Sequence, residues 1–123
     1  RRPSLDLPKV IGHRGAGRHA PENTLASLKM AARLGVRWVE FDVRLSSDGT
    51  PVLFHDQTLE RTTNGHGALA ARDFAALQRL DAGSWFGSSF RGERIPSLVE
   101  VIGVLDRLAL GANIEIKPEE GHG

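Results

Sequence analysis

The 123-residue sequence has no cysteine. That removes disulfides, thiolate metal ligands and a cysteine nucleophile, and leaves the redox compartment open. Net charge is nearly absent too: 16 Lys and Arg against 15 Asp and Glu give a formal +1, so neither a polybasic nucleic-acid surface nor an acidic tail is indicated. No apolar run approaches the ~20 residues that cross a bilayer, and Arg1 to Val10 lacks the apolar centre of a signal peptide. Any charge-based function must therefore be local, and neither nucleic-acid binding nor stable membrane insertion is expected. The first residue is not Met, which leaves room for a leader already removed. A cytoplasmic location is the default, and a periplasmic or secreted one the alternative. What is present is ordinary globular material, 40% hydrophobic and 25% charged, enough for one core.

Within that composition one stretch is unusual, Val36-Arg37-Trp38-Val39-Glu40-Phe41-Asp42-Val43. Val, Trp and Phe favour a half-buried strand, and alternate residues of a strand share a face. Val39, Phe41 and Val43 then pack beneath helices, while Trp38, Glu40 and Asp42 point the other way. Two carboxylates on one face of so apolar a strand repel each other, more strongly as the local dielectric falls. A positive group between them is expected, and a hard cation held by oxygen ligands is the simplest one.

In chain order, Arg1-Arg2-Pro3-Ser4 reads as a solvated tail. Lys9 to Gly12 reads as a short strand entering the loop His13-Arg14-Gly15-Ala16-Gly17. Pro21-Glu22-Asn23-Thr24 opens a helix with Asn23 as N-cap, Leu25, Leu28 and Ala32 on the buried stripe, and Gly35 closing it. With the strand from Val36 this completes a βαβ unit. Asp48-Gly49 between apolar runs predicts a two-residue hairpin turn rather than a crossover. Ser47 then faces Thr50, and counting down the ladder puts Asp42 opposite His55. Residues 56–94 lack regular periodicity apart from a short helix over Arg72–Leu80, and are expected to form an inserted subdomain or lid. Ser97 and Glu100 have capping-box spacing ahead of a helix through Leu98, Val101, Ile102, Leu105 and Leu108 to Gly111. Asn113 to Pro118 is a further strand, with Ile114 and Ile116 on one face and Glu115 and Lys117 on the other.

The polar set comprises His13 and Arg14 after the first strand, Glu40 and Asp42 on the second, His55 on the returning arm, and Glu115 and Lys117 on the last. Each lies toward the C-terminal end of its strand, where parallel α/β proteins assemble their sites. Singly, each has a bland explanation: Glu115 and Lys117 as a sheet-edge ion pair, Glu40 and Asp42 as partners of Arg14 and Lys117 in a structural network. His19, His66 and His122, among turn or terminal residues, are given the bland reading.

Taken together, Ile11-Gly12-His13-Arg14-Gly15, Pro21-Glu22-Asn23-Thr24, Glu40-Phe41-Asp42-Val43, Asp48-Gly49 with Pro51-Val52 and His55-Asp56, Arg61-Thr62-Thr63-Asn64-Gly65, Leu80-Asp81-Ala82-Gly83 and Glu115-Ile116-Lys117 resemble, in order and spacing, the N-terminal half of glycerophosphodiester phosphodiesterases. Ser97 stands where a Thr is commoner in the family. The resemblance implies a TIM-type (β/α)8 barrel, of which residues 1–123 hold about the first three β/α units and the insertion. It implies hydrolysis of glycerophosphodiesters to sn-glycerol 3-phosphate and an alcohol. By position it makes Glu40, Asp42 and Glu115 ligands of one divalent cation, Ca²⁺ or Mg²⁺. His13 and His55 become the acid–base pair, and Arg14 and Lys117 the phosphate contacts. A phospholipase D-like hydrolase of lysophospholipids and a non-catalytic barrel fragment used for binding are the alternatives. A complete barrel takes about 250 residues, so the sequence is expected to be part of a longer protein or to be completed by a partner, including another copy of itself.

Overall fold

The hub of the structure is an eight-residue strand, β2 (Trp38–Leu45), against which every other strand pairs. The computed structural model describes residues 11–118. The expected tail at Arg1–Ser4, the first residues of the opening strand, Lys9 and Val10, and His122 lie outside them. Alternation along β2 sorts its residues as the pattern predicts. Val39, Phe41 and Val43 are at most 2% exposed and pack with Leu28 and Ala31 of α1 (Leu25–Arg33) and with Val101, Val104 and Leu105 of α3 (Leu98–Leu108). Burying each such side chain contributes about 1.5–3 kcal/mol, so this layer anchors the polar face opposite.

β1 (Ile11–His13) runs parallel to β2 with His13 beside Glu40. β4 (Gly111–Ile116) runs parallel along the other edge, with Asn113 beside Glu40 and Glu115 beside Asp42. β3 (Pro51–Leu53) pairs antiparallel with the far end of β2. Since β4 already pairs with Val43, β3 continues the edge that β1 begins. Gly111 must be glycine because a Cβ there would lie 2.2 Å from the Trp38 ring.

The hairpin departs from expectation by one residue. Ser46, not Ser47, faces Thr50, and its N–H donates to the Thr50 carbonyl at 3.0 Å. The Gly49 N–H donates back to Ser46, and Gly49 adopts φ +81°. This is a three-residue loop, a turn closed by a left-handed glycine, rather than a two-residue one. The register slips accordingly, Val43 facing Leu53, and Phe54 rather than His55 meets Asp42, donating its N–H to the Asp42 carbonyl at 3.0 Å.

Two helix readings also change. Thr24, not Asn23, is the N-cap of α1: its hydroxyl accepts the Ser27 N–H and donates to the Pro21 carbonyl. Asn23 has φ +58°, which excludes the extended conformation of a cap. Ser27, Leu28 and Ala31 form the buried stripe, while Leu25 and Ala32 are only partly covered. α3 is capped by Ser97 as expected but ends at Leu108, where Ala109 turns left-handed. Val104 is buried on its inner face, and Ile102, expected there, is 52% exposed.

The segment between β3 and α3 builds its own apolar cluster from Val52, Phe54, Leu59, Leu69, Leu77, Ala82 and Ile95. Its helix α2 (Phe74–Gln78), shorter than the span predicted, is capped by Asp73. The Asp81 carboxylate gathers the N–H groups of Gly83, Ser84 and Gly92 and the Ser84 hydroxyl. These donors hold its pKa far below the usual carboxylate range, against the opposing effect of burial. Glu93 ties the segment back to α1 by accepting the Ala26 N–H at 3.0 Å.

Candidate active site

A cleft of about 310 Å³ opens at the C-terminal ends of the parallel strands, lined by His13, Arg14, Glu40, Phe41, Asp42, His55, Asn113, Ile114 and Glu115. Lys117, just beyond β4, does not line it but pairs with two residues that do: Nζ lies 3.0 Å from Glu115 Oε2 and 3.7 Å from Asp42 Oδ1. Six of the seven residues singled out from sequence therefore line one cleft with the seventh beside it, and three of them arrive by two routes the pattern does not give.

His55 is one of them. β3 stops at Leu53, so His55 stands past the end of the ladder, and the register slip that would aim it away has no hold on it. Its Nδ1 lies 2.8 Å from Asp56 Oδ1. The Asp56 carboxyl sits at a pKa of about 2, held down chiefly by the Arg61 hydrogen bond and helped by His55, against the opposing effect of burial. An ionised carboxylate only accepts, so Nδ1 carries the proton and Nε2 is left for chemistry.

The loop bearing His13 and Arg14 is the other case. Arg14 adopts φ +53°, a conformation held by packing around it. Ser27, fully buried on α1, donates to the Arg14 carbonyl at 2.9 Å and accepts the Ala16 N–H. Gly15 turns at φ +87° with no room for a Cβ, which would lie 2.2 Å from the Ser27 hydroxyl. His13, its side chain 81% exposed, faces the cleft mouth with Nδ1 3.0 Å from Glu40 Oε1.

The expected ligand set is not drawn together: among the described residues no three acidic or histidine side chains are grouped to hold a metal ion. Each carboxylate is instead matched with a cationic or imidazole partner, Glu40 with His13, Glu115 with Lys117, and Asp42 between Arg14 Nε and Lys117 Nζ, both at 3.7 Å. The ion-pair alternative weighed from sequence matches Glu115 with Lys117 and Asp42 with Arg14 and Lys117, but Glu40 takes His13 in place of either cation. The Lys117 hydrogen bond keeps the Glu115 carboxyl below its ordinary pKa. At 3.7 Å neither cation hydrogen-bonds Asp42. The Asn23 amide does, at 3.0 Å.

The sequence pattern gave several residues that hold these groups no part in the site. Asn113 shares its strand face with Glu115 two residues on, a period-2 signal that was available. Glu22, Asn23, Asp56 and Arg61 lie inside the quoted motifs. Their pairings, such as Arg61 with Glu22 across 39 positions, have no local signature.

Helices on one face of parallel strands and charged side chains at the strands' C-terminal ends define the site-bearing part of a TIM-type β/α barrel. The model of the glycerophosphoryl diester phosphodiesterase family matches residues 13–122, and the chain belongs to that family. It is 46% identical over 108 residues to a glycerophosphodiester phosphodiesterase of Caldanaerobacter subterraneus, covering 88% of this chain and 44% of that one. Against glycerophosphodiester phosphodiesterase 1 of Mus musculus it is 43% identical over 99 residues, 79% of this chain and 30% of the relative. The structure of an Oleispira antarctica phosphodiesterase in complex with the product sn-glycerol-3-phosphate superposes with a TM-score of 0.91 at 52% identity, covering 96% of this chain and 48% of that one. A glycerophosphodiester phosphodiesterase from Agrobacterium tumefaciens gives 0.86 at 41% identity, with 91% and 48% covered. The chain thus spans less than half the length of these relatives.

Proposed function

We propose that this chain supplies the catalytic cleft of an enzyme that hydrolyses glycerophosphodiesters to sn-glycerol 3-phosphate and an alcohol. The observation that carries the reading is the convergence of two imidazoles, Arg14 and three carboxylates on one cleft, with Lys117 paired to two of those carboxylates. The Oleispira relative, bound to sn-glycerol-3-phosphate, supports the product class.

Glu40, Asp42 and Glu115 offer oxygen donors only, the chemistry that suits a hard divalent cation, Ca²⁺ or Mg²⁺, and these are the residues that would hold it. Such an ion would supply positive charge against the phosphodiester and polarise its phosphoryl group. The chain's own residues do the rest. Arg14 presents a planar fork to phosphate oxygens, and Lys117 adds a second positive charge beside Asp42 and Glu115. His13 and His55, each with Nδ1 fixed by a carboxylate, expose Nε2. One removes a proton from the attacking water, whose oxygen forms the new P–O bond, and the other protonates the alkoxide that leaves as the P–O bond to the alcohol breaks.

The test uses the full-length protein, with release of glycerol 3-phosphate from glycerophosphocholine measured with and without chelator. His13→Ala and His55→Ala should each cost about 10²-fold or more in kcat while calorimetric affinity for Ca²⁺ or Mg²⁺ stays largely intact. Glu40→Gln should weaken metal binding, with activity partly restored at high metal concentration. Turnover that survives both histidine substitutions would sink the acid–base assignment. Hydrolysis of lysophosphatidylcholine in preference to glycerophosphocholine would move the substrate to lysophospholipids.

A further inference from the structure

The residue that the proposed chemistry leaves out is Arg61, on the excursion that follows β3. Its guanidinium makes four hydrogen bonds to two carboxylates: Nε and one terminal nitrogen to Asp56 at 2.8 and 2.9 Å, and both terminal nitrogens to Glu22 at 3.1 and 2.8 Å. Most of its N–H donors are therefore committed, and it has little left to offer a phosphate. Among the described residues each carboxylate has one further side-chain partner, and in both cases that partner lines the cleft. Asp56 Oδ1 lies 2.8 Å from His55 Nδ1, and Glu22 Oε1 accepts from Arg14 at 3.2 Å.

We propose that Arg61 is a positioning residue, a clasp that fixes His55 through Asp56 and Arg14 through Glu22. The proposal rests on the hydrolase reading of the cleft. An exposed ion pair would contribute little, but here the Glu22 side chain is 10% exposed and that of Asp56 23%, so both arms end in largely covered carboxylates. Two consequences follow from the geometry. Held bidentately, Asp56 keeps one oxygen on Nδ1 and so fixes the tautomer that frees Nε2. Because Glu22 shares its charge between two guanidiniums, Arg14 is not monopolised and its Nε stays 3.7 Å from Asp42, within reach of the cleft. Without Arg61, Asp56 is free to turn toward water and Glu22 draws Arg14 out of the cleft.

The experiment compares Arg61→Met and Arg61→Lys with Asp56→Asn and Glu22→Gln in the full-length protein. Arg61→Met should lower kcat for glycerophosphocholine by about tenfold or more and raise KM. Lysine keeps the charge but serves one carboxylate at a time, so it should restore only part. Asp56→Asn should act mainly on kcat and Glu22→Gln mainly on KM. Adding Arg61→Met to the two together should cost little more, since both arms are already cut. Unchanged kcat and KM in Arg61→Met, or losses that simply multiply, overturn the proposal. Nitrogen NMR of the His55 ring gives a readout independent of turnover. The parent should show the Nδ1–H tautomer and Arg61→Met a mixture. A parent that hydrolyses no diester yet shows this change sinks the hydrolase reading and supports the clasp. An unaltered tautomer in Arg61→Met sinks the clasp whatever the rates. Should Arg61→Met fail to fold, Arg61→Lys and the two carboxylate variants carry the same comparison.

Discussion

Ser27 shows how much of the site depends on a single hydroxyl outside it. The side chain is fully buried on a helix, yet both of its hydrogen bonds go to the loop that carries His13 and Arg14. Ser27→Ala leaves the buried Ala16 N–H without its partner, while the Arg14 carbonyl keeps the Asn23 N–H at 2.8 Å, a loss of about 1–3 kcal/mol. Chemical denaturation of the full-length protein should show a lowered midpoint, together with reduced turnover at saturating substrate. Asp56 makes a second residue-level prediction. Its folded-state pKa of about 2 lies below the ordinary carboxylate value, so the unfolded chain binds the proton more readily. The stability it contributes is complete above about pH 4 and falls away as pH drops toward 2. Asp56→Asn should flatten that acid limb in thermal melts taken across this range. At this scale the strand-borne residues were legible because alternation alone selects their face. Arg61 and Glu22 were not: a pairing between side chains 39 positions apart leaves no trace in any local window.

Among the elements, β2 follows its sequence most closely, since a strand buried on one face has its register set by the apolar residues on that face. The hairpin beyond it was misread by one residue. Asp-Gly suits both a two-residue turn and a longer one closed by a left-handed glycine, and the flanking residues do not discriminate. Gly49→Ala tests the observed geometry. At φ +81°, in open space, the substitution meets no neighbour and pays only backbone strain, about 1 kcal/mol. A lowered melting temperature with an unchanged native fold is the expected result. The start of α1 went astray for a related reason, because Asn and Thr both cap well and only the chain's path shows Asn23 turned left-handed with its amide on Asp42. Thr24→Ala should therefore cost about 1 kcal/mol in denaturation experiments.

On the scale of the whole molecule, apolar surface remains uncovered where the described chain stops pairing. Among the described residues β4 bonds only to β2, and Ile114 and Ile116 beside that free edge are 42% and 67% exposed, as are Val99 and Ile102 on α3 at 79% and 52%. Unpaired strand edges and contiguous apolar patches promote association. These 123 residues produced alone should sediment as concentration-dependent oligomers, and Ile116→Lys should shift them toward monomer. Membership of a barrel family that this chain spans by less than half its relatives' length agrees with such surface being covered in a longer chain.

The short strand β3 has a consequence of its own. Leu53 belongs to the core beneath β2, while its neighbours Val52 and Phe54 belong to the smaller cluster of the excursion. One party wall thus serves two rooms, and His55 is hung on the door frame. Loosening the smaller room, for instance by Leu69→Ala at a position 1% exposed, would unsettle His55 and Asp56 while leaving the strand-borne Glu40, Asp42 and Glu115 in place. The placement of the cleft's imidazole is therefore adjustable through greasy residues that do not line the cleft.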